Sequence, residues 1–411
     1  MTQTIYSHTF DNGLVLLAEP MPWLESAAFT FLTPGGCCYD PKDRIGLSSM
    51  ACEMALRGCG SRDSRSFIRD LENLGVESSE SVSVAHANYC GATLANNLVS
   101  ALRIYVDLLC DAHLPGDQLD AGRMVALQEL QGIDDDPSHK LMIELRRHHY
   151  PDPWGRPSQG EREALEAIRL DEIQDFYRRQ YRPNGTLLGV AGRFDWEQLR
   201  SEVEKLVADW PAVKAASIAE QPAGKRRAHF PHDSNQTQIG IAYSSVPYRH
   251  DDYFQAWAAS GVLSGGMSSR LFTEVRERRG LCYTVYASHH TLRNRAAVLC
   301  YAGTSQDRAQ ETLDVTLAEL IRLSKGIEQN ELDRLKARIK SGLIMQQESS
   351  SSRSGSIVRD WYHLSMVRTL DQLSAIVDGL SCESINAYLA EHPPGDFTVV
   401  TLGAEPLEVP V

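Results

Sequence analysis

Arg276 and Tyr283 stand seven residues apart in Arg276-Glu-Arg-Arg-Gly-Leu-Cys-Tyr283. A guanidinium and a phenol both donate hydrogen bonds, so the two can hold a carbonyl oxygen and stabilise charge developing on it. Gly280 predicts the C-cap of a helix that begins near Ser268, with Tyr283 on the strand that follows. That turn would bring both groups to one side. Taken alone, the residues favour a structural arginine in a last helical turn beside a packed strand tyrosine. Metal-assisted hydrolysis needs another pattern, two histidines four apart on one helix face with a glutamate between them. None of the thirteen histidines starts such a pair. Gly265-Gly266-Met267-Ser268 has the glycines of a phosphate loop but not its Gly-Lys-Ser/Thr ending, so a helix N-terminus capped by Ser268 or Ser269 is the plainer expectation.

The elements that must position these residues fall into two halves. Residues 212–228 are small and polar with a basic end, as a linker should be, leaving 1–211 and 229–411 on either side. Strands are predicted at Leu14–Glu19 and Ala27–Leu32 in the first half and at Gln236–Tyr243 in the second. A strand pair follows in each, Ser81–Leu94 and Cys282–Thr304. Long amphipathic helices come next: Asn97–Ala112 and a run from Asp117 toward His148, then Gln306–Lys325 and Glu328–Gln347. A helix and a strand close each half, Ile173-Gln-Asp-Phe-Tyr before Gly185–Gly192 and Ile385-Asn-Ala-Tyr-Leu before Asp396–Gly403. Strands grouped ahead of helices predict two homologous α+β domains rather than alternating βαβ units.

Composition bounds the function classes. With 42% hydrophobic and 23% charged residues the chain is an ordinary globular one, and 411 residues imply two domains. A formal charge of −13 disfavours nucleic acid and anionic membrane surfaces. Apolar runs fall short of the ~20 residues of a membrane span. The opening Met-Thr-Gln-Thr-Ile-Tyr-Ser-His has no basic or apolar leader pattern, and nine scattered cysteines lack a C-x-x-C pair, so a cytoplasmic protein with reduced thiols is expected.

Several stretches together resemble the M16 (pitrilysin-like) metallopeptidases. They are Asp11-Asn-Gly-Leu-Val-Leu-Leu-Ala-Glu-Pro-Met-Pro, Gly35-Gly, Gly46-Leu, Leu127-Gln-Glu-Leu-Gln and Asp134-Asp-Asp-Pro, then Leu263–Val285 and Glu348-Ser-Ser-Ser-Ser-Arg-Ser. Length and the two matching halves fit the M16B type. The resemblance implies a chain of two α+β domains, two such chains closing like a clam shell around a peptide chamber. It also implies that Arg276 and Tyr283 bind substrate backbone near the scissile bond.

The family's zinc motif, His-x-x-Glu-His, should lie on the first helix, with a further glutamate from a later helix. Aligned on Gly46-Leu47 and Arg57-Gly58, the chain has Ser49 and Glu53 in place of the histidines and Cys52 in place of the general base. Glu129 keeps the third ligand position, and Gly122 replaces a helper glutamate. A hydroxyl and an acid do not substitute for two imidazoles at zinc, so no catalytic residue and no metal is expected in this chain. Two other uses of the remnant are conceivable: Glu53 and Glu129 converging on a hard cation, and Cys52 paired with His86 as a nucleophile. The resemblance therefore points to a noncatalytic subunit of a heterodimeric peptidase. Arg276, Tyr283 and part of the chamber wall would serve a homologous zinc-bearing partner that hydrolyses a peptide substrate. The alternative is a degenerate scaffold like the core proteins of the respiratory bc1 complex; a lone peptidase with a reworked metal site rests only on Glu53 and Glu129.

Overall fold

The computed structural model describes residues 3–346 and 348–409. Met1, Thr2, Gln347, Pro410 and Val411, hence the end of the helix expected to reach Gln347, lie outside the described residues. The chain divides into two compact units. One comprises Met1–Gly132, Arg156–Glu220 and Met345–Thr369; the other comprises Ile133–Gly155, Gln221–Ile344 and Leu370–Val411.

The first unit is built on strands β1 (Tyr6–Thr9), β2 (Val15–Pro20), β3 (Ser26–Pro34), β4 (Glu77–Val82), β5 (His86–Leu94) and β6 (Leu187–Gly192). Their order is β1-β2-β6-β3-β5-β4, with β2 and β6 parallel and the other pairs antiparallel. The second unit uses β7 (Arg227–Pro231), β8 (Gln236–Ser245), β9 (Cys282–Thr291), β10 (Ala296–Ser305) and β11 (Thr398–Gly403). Its order is β9-β10-β8-β11-β7, with β7 and β11 parallel and the rest antiparallel. Read from β4, the first sheet has the same order and directions and adds β1 at one edge. The two α+β domains expected from the strand and helix sequence are present.

Each unit borrows a helix from the distant part of the chain. Ser350–Leu364, capped by Ser349, lies on the first sheet, where Ile357 and Val358 pack with Leu17 and Leu187. Its backbone comes so close that a Cβ at Gly189 would stand 2.5 Å from the Ser354 carbonyl oxygen, which explains a glycine inside a fully buried strand. Arg353, 2% exposed, donates from Nε to Glu19 at 2.8 Å, with Nη2 at 2.7 Å from the same carboxylate oxygen as an ion pair, so its charge is buried with a partner. Conversely, Pro137–His149 packs Leu141, Met142 and Leu145 with Ala242, Leu299, Val400 and Leu402 of the second sheet.

One continuous helix from Asp117 toward His148 was the sequence expectation, and the chain breaks it. Helix Leu119–Asp134 ends, and Asp136 starts Pro137–His149 by accepting from the Ser138 and His139 N–H groups. Proline lacks the donor a continuing helix needs but suits a first turn. The break lies near the boundary between units, so the compact units are interleaved in sequence while the halves 1–211 and 229–411 are continuous stretches. Between the halves, 211–220 has no regular structure, and β7 begins at Arg227 within the linker's basic end. Among the described residues no helix is long and apolar enough to cross a membrane.

Candidate functional site

The degenerate zinc positions lie on helix Leu47–Ala55. Its N-terminus is organised by buried Asp40, whose carboxylate accepts from the Gly46 and Ser48 N–H groups at 2.8 Å each and from the Ser48 hydroxyl at 3.1 Å. Burial raises the Asp40 carboxyl to about 7, against the opposing pull of those hydrogen bonds and of Arg156. Ser49 is half-buried. Cys52 points into the core, 6% exposed, and burial pushes its thiol up to about 12. Its hydrogen-bonding neighbour is Tyr89, which in turn meets Tyr181 hydroxyl to hydroxyl at 2.8 Å. His86 instead stands edge-on to Tyr362, ring centroids 4.5 Å apart. The Cys52–His86 pairing is thereby corrected: the thiol is protonated, enclosed and served by a phenol.

Glu53 accepts from the Arg57 guanidinium at 2.6 Å, one helical turn on. Glu129, on helix Leu119–Asp134, is exposed. Both carboxylates act on Cys52 electrostatically, so they share its neighbourhood. Among the described residues, however, they are not part of any set of three ligand atoms within 4.8 Å. Gly122 is where the two helices touch: a Cβ there would lie 2.8 Å from Met54 Sδ and 3.3 Å from Arg57 Nε. A side chain at 122 would require Met54 and Arg57 to shift, and a guanidinium holds the space beside Glu53. A hydroxyl, a buried thiol and an ion-paired carboxylate are not a donor set for zinc, so the residues present do not fit that ion.

The second constellation assembles as its spacing predicted. Phe272–Glu277 forms a π-helical turn, with Arg278 N–H bonded to the Thr273 carbonyl at 2.9 Å. Gly280, at φ +57°, ends it, and Leu281 N–H reaches back to the Val275 carbonyl at 3.0 Å. The register of β9 on β10 then slips between Cys282 and Thr284, leaving Tyr283 as the extra residue of a bulge. A bulge re-aims a side chain. Tyr283 is 82% exposed, and the Arg276 guanidinium lies 4.7 Å from its ring centroid and 4.8 Å from that of Phe272.

Two flanking arginines are neutralised. Arg278 and Arg279 donate to Glu274 at 2.6 and 2.8 Å, and they hold its carboxyl below the usual range. Arg276, against its two rings, makes no hydrogen bond or ion pair among the described residues. Stacking occupies the faces of a guanidinium and leaves its N–H edge free, so this edge and the Tyr283 hydroxyl can receive a carbonyl or carboxylate oxygen. Phe272 and Glu274 were not singled out from sequence. The four-residue step from Phe272 to Arg276 was the available signal, since such pairs share a helix face. The serine caps expected at 268 and 269 do not form: the turn is held by Ser269 N–H on the Gly266 carbonyl at 3.0 Å, and no side chain caps the helical turn that follows.

The fold is a two-domain α+β chain whose helix Leu47–Ala55 carries Ser49, Cys52 and Glu53 and no pair of histidines. Residues 22–157 match the family model of insulinase (peptidase family M16), and residues 167–339 match that of the peptidase M16 inactive domain. The chain belongs to peptidase family M16. It is 24% identical over 403 residues to an uncharacterized zinc protease of Bacillus subtilis, covering 97% of this chain and 98% of that one. An uncharacterized zinc protease of Rickettsia felis is 23% identical over 376 residues, 91% of each chain. A peptidase M16 inactive-domain structure from Pseudomonas fluorescens superposes with a TM-score of 0.90 at 19% identity, covering 99% of this chain and 100% of that one. A chain of complex III2 from Candida albicans gives 0.80 at 14% identity, covering 98% and 96%; both likenesses are of fold. The inactive-domain match contains Arg276 and Tyr283, whereas Ser49, Cys52 and Glu53 lie in the insulinase match.

Proposed function

We propose that this chain is a noncatalytic M16 subunit that presents Arg276 and Tyr283 to the substrate of a homologous zinc-bearing chain. The observation that carries the reading is the contrast between its two constellations. Of the side chains at the zinc positions Cys52 is buried and Glu53 is ion-paired, while the Arg276 guanidinium lies against two rings with its donor edge free. A chain without hydrolytic use for a peptide gains nothing from such a preorganised pair, unless the peptide is cut by a partner. The substrate is an extended peptide whose backbone carbonyl meets the guanidinium and the phenol. Zinc, in this reading, is held by the partner, and the working unit is a heterodimer.

The test is to follow cleavage of a quenched peptide by this chain alone, by a zinc-bearing M16 homologue from the same source alone, and by their mixture. The reading expects the mixture to exceed the sum of the separate activities. Chelator-sensitive cleavage by this chain alone contradicts it. A second reading, a scaffold within a larger assembly, is favoured by the fold likeness to a complex III2 chain. It expects no gain in the mixture over the zinc-bearing chain alone and no effect of substituting Arg276.

A further inference from the structure

In the second unit, the N-terminus of helix Tyr253–Ser264 approaches the C-terminus of helix Cys382–Glu391. Asp252 immediately precedes the first helix, Glu391 ends the second, and His392 follows it. One carboxylate oxygen from each acid and one ring nitrogen of His392 all lie within 4.8 Å of one another. We propose that Asp252, Glu391 and His392 form a site for a divalent transition-metal ion of the Zn²⁺ class that ties the two helix ends together.

Three features support the assignment. Neither carboxylate has a lysine or arginine partner among the described residues, although two like charges at this separation repel; a dication removes that repulsion. Glu391 and His392 sit at a helix C-terminus, whose unpaired carbonyls carry partial negative charge and favour a cation. The side chains are also oriented by neighbours. The His392 ring lies against Tyr388, centroids 5.0 Å apart, and edge-on to His250 at 6.1 Å. His250 Nδ1 accepts the Asp252 N–H at 3.1 Å, which holds the backbone of that residue.

The donor set selects the ion. One imidazole with two carboxylates suits Zn²⁺ and its neighbours, whereas Mg²⁺ and Ca²⁺ prefer all-oxygen shells. Tetrahedral zinc with bonds of about 2.0–2.1 Å sets its ligand atoms roughly 3.4 Å apart, within the 4.8 Å that bounds their present separations. Water fills the fourth position. Ser49, Cys52 and Glu53 belong to the first unit and take no part.

The experiment is calorimetric titration of the metal-free full chain with Zn²⁺, and separately with Mg²⁺, alongside His392→Ala and Glu391→Gln variants with native circular dichroism. The expected result is one saturable Zn²⁺ site per chain, weakened at least tenfold by His392→Ala and also weakened by Glu391→Gln. Millimolar Mg²⁺ should not compete, and Zn²⁺ should raise Tm in the wild type more than in either variant. No saturable Zn²⁺ binding, or binding equally tight in both variants, overturns the proposal.

Discussion

The Arg276 guanidinium carbon sits 4.7 Å from the ring centroid of Tyr283, seven residues ahead of it across a π-helical turn, a left-handed glycine and a β-bulge. Each of those irregularities helps place the pair. The Phe272 ring is a second aromatic neighbour of the cation at 4.8 Å. Removing a preorganised donor aimed at a developing oxyanion costs ~10²-fold or more in rate. In the peptidase mixture, Arg276→Ala should lose about a hundredfold in kcat/KM and Tyr283→Phe about tenfold. Steady-state kinetics with denaturation midpoints measured alongside separates this from a loss of folding, because Tyr283 is exposed.

Phe272→Ala keeps both donors and removes one of the two rings. A cation–π contact at a partly exposed site is worth ~0.5–1 kcal/mol, a two- to fivefold effect. The expected outcome is a loss of about that size. An effect as large as that of Arg276→Ala would mean that Phe272 itself meets the peptide.

Cys52 should be inert. Its thiol is pushed to about 12 by burial, and nucleophilic attack needs the thiolate. Native protein treated with iodoacetamide at pH 8 and mapped by mass spectrometry should show Cys52 unmodified, and urea-unfolded protein should show it alkylated. Fast native labelling, slowed by His86→Ala, would restore the cysteine–histidine pairing.

The Glu19–Arg353 ion pair is an internal probe of how the borrowed helix is held. Removing one partner leaves a buried charge uncompensated, at a cost of ~3–5 kcal/mol. Arg353→Ala and Glu19→Ala should therefore each lower the urea midpoint strongly. A double replacement by apolar residues of similar volume should recover most of the loss.

Acid stability follows from opposing groups. Burial lowers His149, His289 and His290 from 6.5 to about 4. Between those values the unfolded chain binds more protons, so these histidines remove stability as pH falls from about 6.5 toward 4. Asp40, raised from 3.8 to about 7, acts in the opposite direction: the folded chain takes up its proton first and gains stability on acidification over that span. Glu80 is shifted the same way. Three histidines with shifts of comparable size outweigh the acids. The urea midpoint should be lower at pH 5 than at pH 7, and Asp40→Asn should steepen the drop.

The strands and most helices were legible because buried strands and amphipathic helices write their period into the chain. Phe29 and Phe31 on β3, or Leu332, Leu335 and Ile339 on the long helix of the second unit, are such cases. The lack of a His-x-x-x-His pair could also be read directly, since a histidine is present or absent. The exchange of helices could not: the apolar face of Ser350–Leu364 does not say which sheet it will cover. Nor could the fate of the replacements. Enclosure of Cys52 by Tyr89 depends on a strand far along the chain, and the bulge that turns Tyr283 outward depends on its register against β10. Pro137 did carry a legible signal, and weighing its missing N–H above the continuing apolar period would have placed the helix break.

The most direct measurement is kcat/KM for a quenched peptide in a stoichiometric mixture of this chain and a zinc-bearing M16 homologue from the same source, comparing wild type with Arg276→Ala. The account predicts cleavage well above that of either chain alone and a fall of about a hundredfold with the variant, with the two chains still co-eluting on gel filtration. Equal cleavage with wild type and variant, or no gain over the zinc-bearing chain alone, contradicts it.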